Sequence, residues 1–264
     1  MVKLFRNIIS LFFVLVLVGC VSKLNTKAED KIKIGVTSIP HGEILKNLKD
    51  IFDLDIEIIN YIDYEALNND LVNKKIDGNF FQTREYLENF NNNSGVKLIE
   101  LAGVHVEPLI IYSSKYKSID KVEEGDSVYI PNDPINKERA LKLLEKAGLI
   151  KLTLDFNTQT STIIENPLNL IISEAPSYEL PSLFKEGDLV IMNTNIALEN
   201  MIFPEENGLY YEDSFNDESK VNVFVTREDM RTSIKLKEIA NLLTSYETFK
   251  FINEKYKGFV KPIF

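Results

Sequence analysis

The chain has no tryptophan, a single cysteine and two histidines in 264 residues. One cysteine excludes an internal disulfide and any multi-cysteine zinc or iron–sulfur site. Two histidines leave little for a histidine-rich metal centre. Positive charge is also scarce: 30 Lys and Arg stand against 40 Asp and Glu, for a formal net charge of −10. An acidic chain without a basic stripe is unsuited to nucleic acid. Catalytic signatures are missing too. There is no G-x-x-x-x-G-K-[ST] or G-x-G-x-x-G to cradle phosphate, no G-x-S-x-G elbow and no H-E-x-x-H. His41-Gly42-Glu43 and His105-Val106-Glu107 resemble half of a zinc-deaminase signature, but its cysteine half is lacking. The expectation is a protein that is not an enzyme, with no cofactor and no metal. Apolar material is plentiful: 44% hydrophobic and 10% aromatic residues supply a core and exclude disorder as the main state.

Lys3 and Arg6 precede the apolar run Ile8-Ile9-Ser10-Leu11-Phe12-Phe13-Val14-Leu15-Val16-Leu17-Val18. That run is too short for a comfortable membrane span but suits a signal peptide. It ends in Leu17-Val18-Gly19-Cys20, which looks like a bacterial lipobox with Cys20 as the lipidated residue. Cleavage before Cys20 leaves a polar stretch to Asp30 without periodicity, read as a tether. No later run approaches the length of a span. The mature chain is therefore expected to be a folded body held at the extracytoplasmic face of a cell membrane by lipid.

The body alternates strand and helix patterns. Ile32-Lys33-Ile34-Gly35-Val36 has a period of two. Glu43 to Phe52 places Ile44, Leu45, Leu48 and Ile51 on one helical face. Further helices are expected near Tyr64–Asn73, over Thr83–Asn91, from Pro134 to Ala147 and near Tyr178–Phe184. Further strands are expected at 54–58, Gly78–Gln82, Val96–Leu101, Val104–Tyr112, Ser127–Ile130, Leu168–Ser173, Leu189–Met192 and Asn222–Thr226, the last of them. A mostly helical segment from Ile234 to Lys257 follows, with Leu236, Ile239, Ala240, Leu243, Phe249 and Ile252 inward. This alternation makes the chain an α/β protein, and two such units suggest two lobes with a ligand cleft between them.

Polar and aromatic residues cluster at strand ends and helix starts. Arg139 can grip a carboxylate with a bidentate fork. Asn side chains or Glu107 can accept from an ammonium. Phe80, Phe81, Tyr86 and His105 can form an apolar slot. Each has a plainer use as well. Arg139 flanks Ala140, Leu143 and Leu144 and suits a solvated helix face equally well. Phe80 and Phe81 point to opposite faces of their strand, so at least one belongs to a core. Asn193 and Asn195 suit turns or helix caps, and His105 suits a structural role. These residues alone indicate a lipid-anchored two-lobed binder of an unidentified ligand.

Seven ordered segments carry a resemblance: IKIGVTSIPHGEIL, DGNFFQTREYLENFN, VHVEPLIIYSSKYKSID, IPNDPINKERALKLLEKAGLIKL, IMNTNIAL, VNVFVTRE and FINEKYKGFVKPIF. Together they resemble the NlpA-type lipoproteins, the methionine-binding component of a bacterial ABC importer. The likeness runs from Lys31 to Phe264. It implies a two-lobed periplasmic-binding-protein fold of type II-like topology. It also implies Arg139 on the ligand carboxylate, Asn195 and Asn222 on the ammonium and carboxylate, and Tyr86, His105 and one of Phe80 or Phe81 around the side chain. Implied partners are L-methionine, an ABC permease and its ATPase, with the chain itself a monomer. The expected division is a signal peptide over 1–19, a tether over 20–30, lobe 1 over 31–112 and 222–264, and lobe 2 over 113–221. The chain departs from the family pattern at Thr83-Arg84-Glu85, where many members have His-x-Pro, at Ile196 and at Ile39. The alternatives are an adhesin-like surface lipoprotein with a relic fold, or a binder of another amino acid or a short peptide.

Overall fold

The computed structural model describes residues 31–155 and 160–264. The expected signal peptide, Cys20 and tether lie outside the described residues. The chain begins with β1 (Ile32–Val36), a turn at Ser38–Gly42, α1 (Glu43–Phe52) and β2 (Ile56–Asn60). β1 and β2 are parallel, which a strand–helix–strand unit requires. α2 (Tyr64–Val72) leads to β3 (Gly78–Thr83), parallel to β1 on its other side. α3 (Arg84–Ser94) then leads to β4 (Leu98–Val106).

At Glu107-Pro108 the chain crosses to a second sheet. This holds β5 (Leu109–Tyr112), β6 (Ser127–Pro131), β9 (Ile171–Ala175), β10 (Leu189–Asn193) and β11 (Gly208–Tyr211). α4 (Pro134–Lys146) follows β6, and β7 (Lys151–Asp155) pairs antiparallel with β8 (Thr160–Glu165) as a separate ribbon. Three short helices complete this half: α5 (Leu180–Leu183), α6 (Thr194–Glu199) and α7 (Pro204–Asn207). Residues 212–220 cross back to β12 (Val221–Arg227). It is followed by α8 (Ile234–Leu243), α9 (Tyr246–Tyr256) and the short β13 (Lys261–Pro262).

The first sheet runs β13-β4-β12-β3-β1-β2 and the second β11-β5-β10-β6-β9. β12 lies antiparallel between β3 and β4, so the last third of the chain completes the first sheet. This is the expected α/β, two-lobed binding-protein architecture. One face of the first sheet buries Ile34, Val36, Phe80 and Phe224 against Leu45 and Leu48 of α1 and Leu236, Ile239 and Leu243 of α8. The second sheet buries Ile111, Val128, Ile130 and Ile191 against Ala140, Leu143 and Leu144 of α4.

Local chemistry explains several ends. The Asp63 carboxylate accepts from the Glu65 N–H at 3.0 Å, and Thr83 Oγ1 from the Tyr86 N–H at 3.3 Å. Asp133 caps α4 by accepting from the Asn136 N–H at 2.9 Å, with Pro134 beside it in the first turn. Just past the end of α4, Gly148 has φ of 78°, a conformation natural to glycine.

Some expectations need correction. Ile51 is 52% exposed and Phe249 41% exposed. Helical periodicity identifies an inward side but not how far the neighbouring element extends over it. The expected break between strands near Ala102–Gly103 is absent: β4 runs unbroken through both. The break falls at Glu107-Pro108, where proline has no N–H for a ladder. β5 thus belongs to the second sheet, although the sequence reading ended lobe 1 at Tyr112. β7, β8, β11 and β13 were not anticipated.

Candidate functional site

A cavity opens where the strands of both sheets end. Sites in α/β folds favour this place, because loops and helix starts converge beyond the carboxyl ends of parallel strands. The end of β3 contributes Phe81, Gln82 and Thr83, and the starts of α2 and α3 contribute Tyr64 and Tyr86. The crossing after β4 contributes Glu107, and α4 contributes Asn136 and Arg139. Asn193 ends β10, Asn195 begins α6, and Asn222 lies in β12.

Arg139 is only 4% exposed, so the solvated-face alternative does not describe it. Its Nε donates to Glu212 Oε1 at 2.9 Å, Nη2 to Glu212 Oε2 at 2.5 Å, and Nη1 to Asn136 Oδ1 at 3.0 Å. A guanidinium has five N–H donors, so one on Nη1 and one on Nη2 remain for a ligand. Burial works against this charge, but the Glu212 carboxylate outweighs it and holds Arg139 above its ordinary pKa. Glu212 in turn is held below the carboxylate range, burial being overcome by Arg139.

Four buried polar atoms of residues lining the cavity have no hydrogen-bond partner among the described residues: Glu107 Oε2, Asn193 Oδ1, Asn195 Nδ2 and Asn222 Nδ2. Their other ends are occupied. Asn195 Oδ1 accepts from the Tyr64 hydroxyl at 2.9 Å, and Asn193 Nδ2 donates to Asn136 Oδ1 at 3.0 Å. Asn222 Oδ1 lies 3.1 Å from His41 Nε2. Burial pushes the Glu107 carboxyl up to about 8, with Arg139 pulling it down and Glu199 pushing it further up. One buried set therefore offers donors and acceptors together.

Three rings form the apolar wall. Tyr64 and Phe81 lie 5.6 Å apart, Phe81 and Tyr86 5.8 Å, and Tyr64 and Tyr86 6.2 Å. A second, more open cavity shares Tyr64 and Tyr86 and is edged by Asp63, Glu65 and Asp133.

Of the residues named from sequence, Arg139, Asn195, Asn222, Tyr86 and Phe81 line the cavity together, whereas Phe80 and His105 do not. Phe80 is on the opposite face of β3, buried with Ile34 and Phe224, because successive strand residues alternate. His105 stands opposite Asn222 in the β4–β12 register and is fully buried against His41 and Phe80, at 5.0 and 5.5 Å between rings. Neither of its ring nitrogens has a hydrogen-bond partner among the described residues. Burial, then the neighbouring His41, keeps it well below the usual histidine pKa. Tyr64 and Glu212 were missed. Tyr64 read simply as a helix start, and Glu212 follows a strand with no clear period.

Side-chain atoms of His41, His105 and Glu107 lie within 4.8 Å of one another. Both His41 nitrogens are already engaged, at Thr37 and Asn222. His105 lacks the acceptor behind its ring that usually orients a metal-bound imidazole. This donor set is not arranged as a metal centre.

Comparison with known proteins agrees with the fold. The model of the NlpA lipoprotein family matches residues 32–264. Outer membrane lipoprotein 3 of Mannheimia haemolytica is 36% identical over 252 residues, covering 93% of each chain. The methionine-binding lipoprotein MetQ of Bacillus subtilis is 33% identical, covering all of this chain and 99% of its own. A nutrient-binding protein from Burkholderia cenocepacia, solved with methionine bound, superposes with a TM-score of 0.81. It is 29% identical, over 88% of this chain and 100% of its own. With nearly its whole described length matched, the chain belongs to the NlpA lipoprotein family.

Proposed function

We propose that this chain is a solute-binding lipoprotein that closes its two lobes over a small amino acid, methionine first among them, and delivers it to an ABC importer. The observation that carries this reading is the set of unpaired buried groups around one cavity. Two N–H groups of Arg139 and the amides of Asn195 and Asn222 suit a carboxylate, while Glu107 and Asn193 Oδ1 suit an ammonium. Closing a cleft on a zwitterion is costly unless both charged ends find partners inside. The Tyr64, Phe81 and Tyr86 rings suit a thioether, which gains about 0.3–1.5 kcal/mol at an aromatic edge. The methionine-binding name of the Bacillus subtilis relative and the methionine held by the Burkholderia cenocepacia neighbour support the same ligand.

In this reading the lobes are approximately 31–108 with 221–264, and 109–220. Cys20 carries the lipid that holds the body at the extracytoplasmic face of the membrane, and the chain works as a monomer with its permease and ATPase. Titration calorimetry of the mature chain with L-methionine tests the binding. Saturable heat at one site supports it. Absence of heat with every amino acid and short peptide would leave only the adhesin-like alternative. Replacing Cys20 by Ala is expected to release the protein from the membrane fraction or stall its processing. A variant that fractionates and migrates as wild type would remove the anchor from this account.

A further inference from the structure

The loop after β1 places a short polar chain behind the cavity. Thr37 is 1% exposed and His41 is fully buried. Thr37 Oγ1 lies 2.6 Å from His41 Nδ1, and His41 Nε2 lies 3.1 Å from Asn222 Oδ1. The far end of that amide, Asn222 Nδ2, is buried, unpartnered and at the cavity wall. We infer that Thr37 and His41 form a positioning relay that orients the Asn222 amide, turning its NH₂ toward the ligand and making Asn222 a carboxylate donor. The inference rests on the proposed amino-acid site and deepens it.

The proton order follows from counting donors. Burial pushes His41 down to about 3, so the ring is neutral and has one N–H and one lone pair. Two arrangements fit the distances. In one, the Thr37 hydroxyl donates to Nδ1 and Nε2–H donates to Asn222 Oδ1. In the other, Nδ1–H donates to Thr37 and the amide is reversed, so that Asn222 Oδ1 faces the cavity. The second leaves the Thr37 hydroxyl hydrogen buried without an acceptor, since Thr37 makes no other side-chain hydrogen bond among the described residues. A buried donor without a partner is costly, so the first arrangement prevails.

The consequence is specificity for one orientation of the ligand. With its NH₂ presented, Asn222 joins Arg139 and Asn195 Nδ2 on the carboxylate side and leaves the ammonium to Glu107 and Asn193 Oδ1. A reversed amide would set an acceptor beside the Arg139 side of the ligand and repel its carboxylate. His41 is not among the residues lining this cavity and acts through Asn222.

Long-range ¹H–¹⁵N NMR of the ligand-free mature chain at neutral pH reads the tautomer directly. The expected result is neutral His41 protonated at Nε2; protonation at Nδ1 overturns the relay. A paired substitution reads its effect. His41→Gln keeps an N–H near the Nε2 position and an acceptor behind it, whereas His41→Leu keeps bulk alone. L-methionine affinity is expected to fall about tenfold or more in the Leu variant and to stay within about threefold in the Gln variant. Equal losses in both, or none in the Leu variant, would show that His41 only fills space. The tautomer needs no ligand, so it decides the relay even if wild type binds no L-methionine, a result that would sink the amino-acid reading instead. It also decides the relay if the Leu variant fails to fold.

Discussion

Arg139 and Glu107 show what burial does to single charges. Arg139 keeps its charge because Glu212 grips Nε and Nη2, while Nη1 donates to Asn136 and one N–H on each Nη is left over. Truncating one member of such a desolvated arrangement typically costs about 2–5 kcal/mol. Arg139→Ala is therefore expected to lose most L-methionine binding in calorimetry while far-UV circular dichroism stays native. Unchanged affinity would remove Arg139 from the site. Glu107 makes a prediction about pH. Its folded pKa of about 8 lies above the ordinary 4.5, so between these values the folded chain holds a proton that the unfolded chain has released. Stability from this group is complete below about 4.5 and is lost as pH rises toward 8, by at most about 1.4 kcal/mol per pH unit. Urea unfolding of wild type and Glu107→Gln at pH 5 and pH 8 isolates it. The advantage of wild type over the variant is expected to shrink at the higher pH. A constant difference would mean that Glu107 is already ionised in the empty cavity.

At the scale of elements, helix starts do much of the positioning. Asp133 caps α4 and also holds the Asn136 side chain, whose Nδ2 lies 3.1 Å from both carboxylate oxygens. Asn136 then receives Arg139 Nη1 and Asn193 Nδ2 on its own oxygen. One cap thus orders one turn of helix and two ligand-facing side chains. Asp133→Ala is expected to lower unfolding stability by about 1 kcal/mol, the usual worth of a cap, and to weaken methionine binding as well. Stability loss with binding untouched would separate the cap from the site. Much of this was legible in sequence. Asn132-Asp133-Pro134 announced the start of α4, Gly148 its end, and the alternation at 32–36 announced β1. β7 and β8 were not read from the sequence: Lys151-Leu152-Thr153-Leu154-Asp155 does alternate, but only over five residues, Thr160–Glu165 has no such period, and the two form a separate ribbon whose faces are mostly exposed. β13 is two residues long and exists only as an addition to β4.

For the whole molecule, selectivity depends on what a closed cavity can neutralise. Arg139 is the one cation among the residues lining the cavity and already shares its charge with Glu212, and the adjoining cavity is edged by Asp63, Glu65 and Asp133, so a second ligand carboxylate finds no partner there. An unpaired buried charge is far costlier than a lost methylene or sulfur contact. The expected order in a competition series is methionine, then norleucine, with glutamate hardly detectable. Glutamate or a β-branched residue such as valine outranking methionine would show that the slot serves another ligand. Thr83-Arg84-Glu85 is the family departure closest to this question. Thr83 lines the cavity, but Arg84 turns away to Glu100, with its Nε 2.9 Å from Oε2, and Glu85 pairs with Lys220. One of the two altered positions, Glu85, and the intervening Arg84 therefore serve the scaffold beside the second crossing.

The sequence by itself determined much of the local structure: the longer helices, most of the strands of the two sheets, the capped start of α4, and the ordered blocks that mark the family. Such features depend on residues within a few positions of one another. Only the tertiary structure decided between Phe81 and Phe80, because the face of β3 turned to the cavity depends on how the sheet is assembled. It placed His105 behind the wall, because β12, more than a hundred residues later, sets Asn222 opposite it. It also brought Glu212 to Arg139 and His41 to Asn222, contacts separated by 73 and 181 positions. Charge pairing and amide orientation act through space, and a linear pattern carries no record of which distant groups will meet.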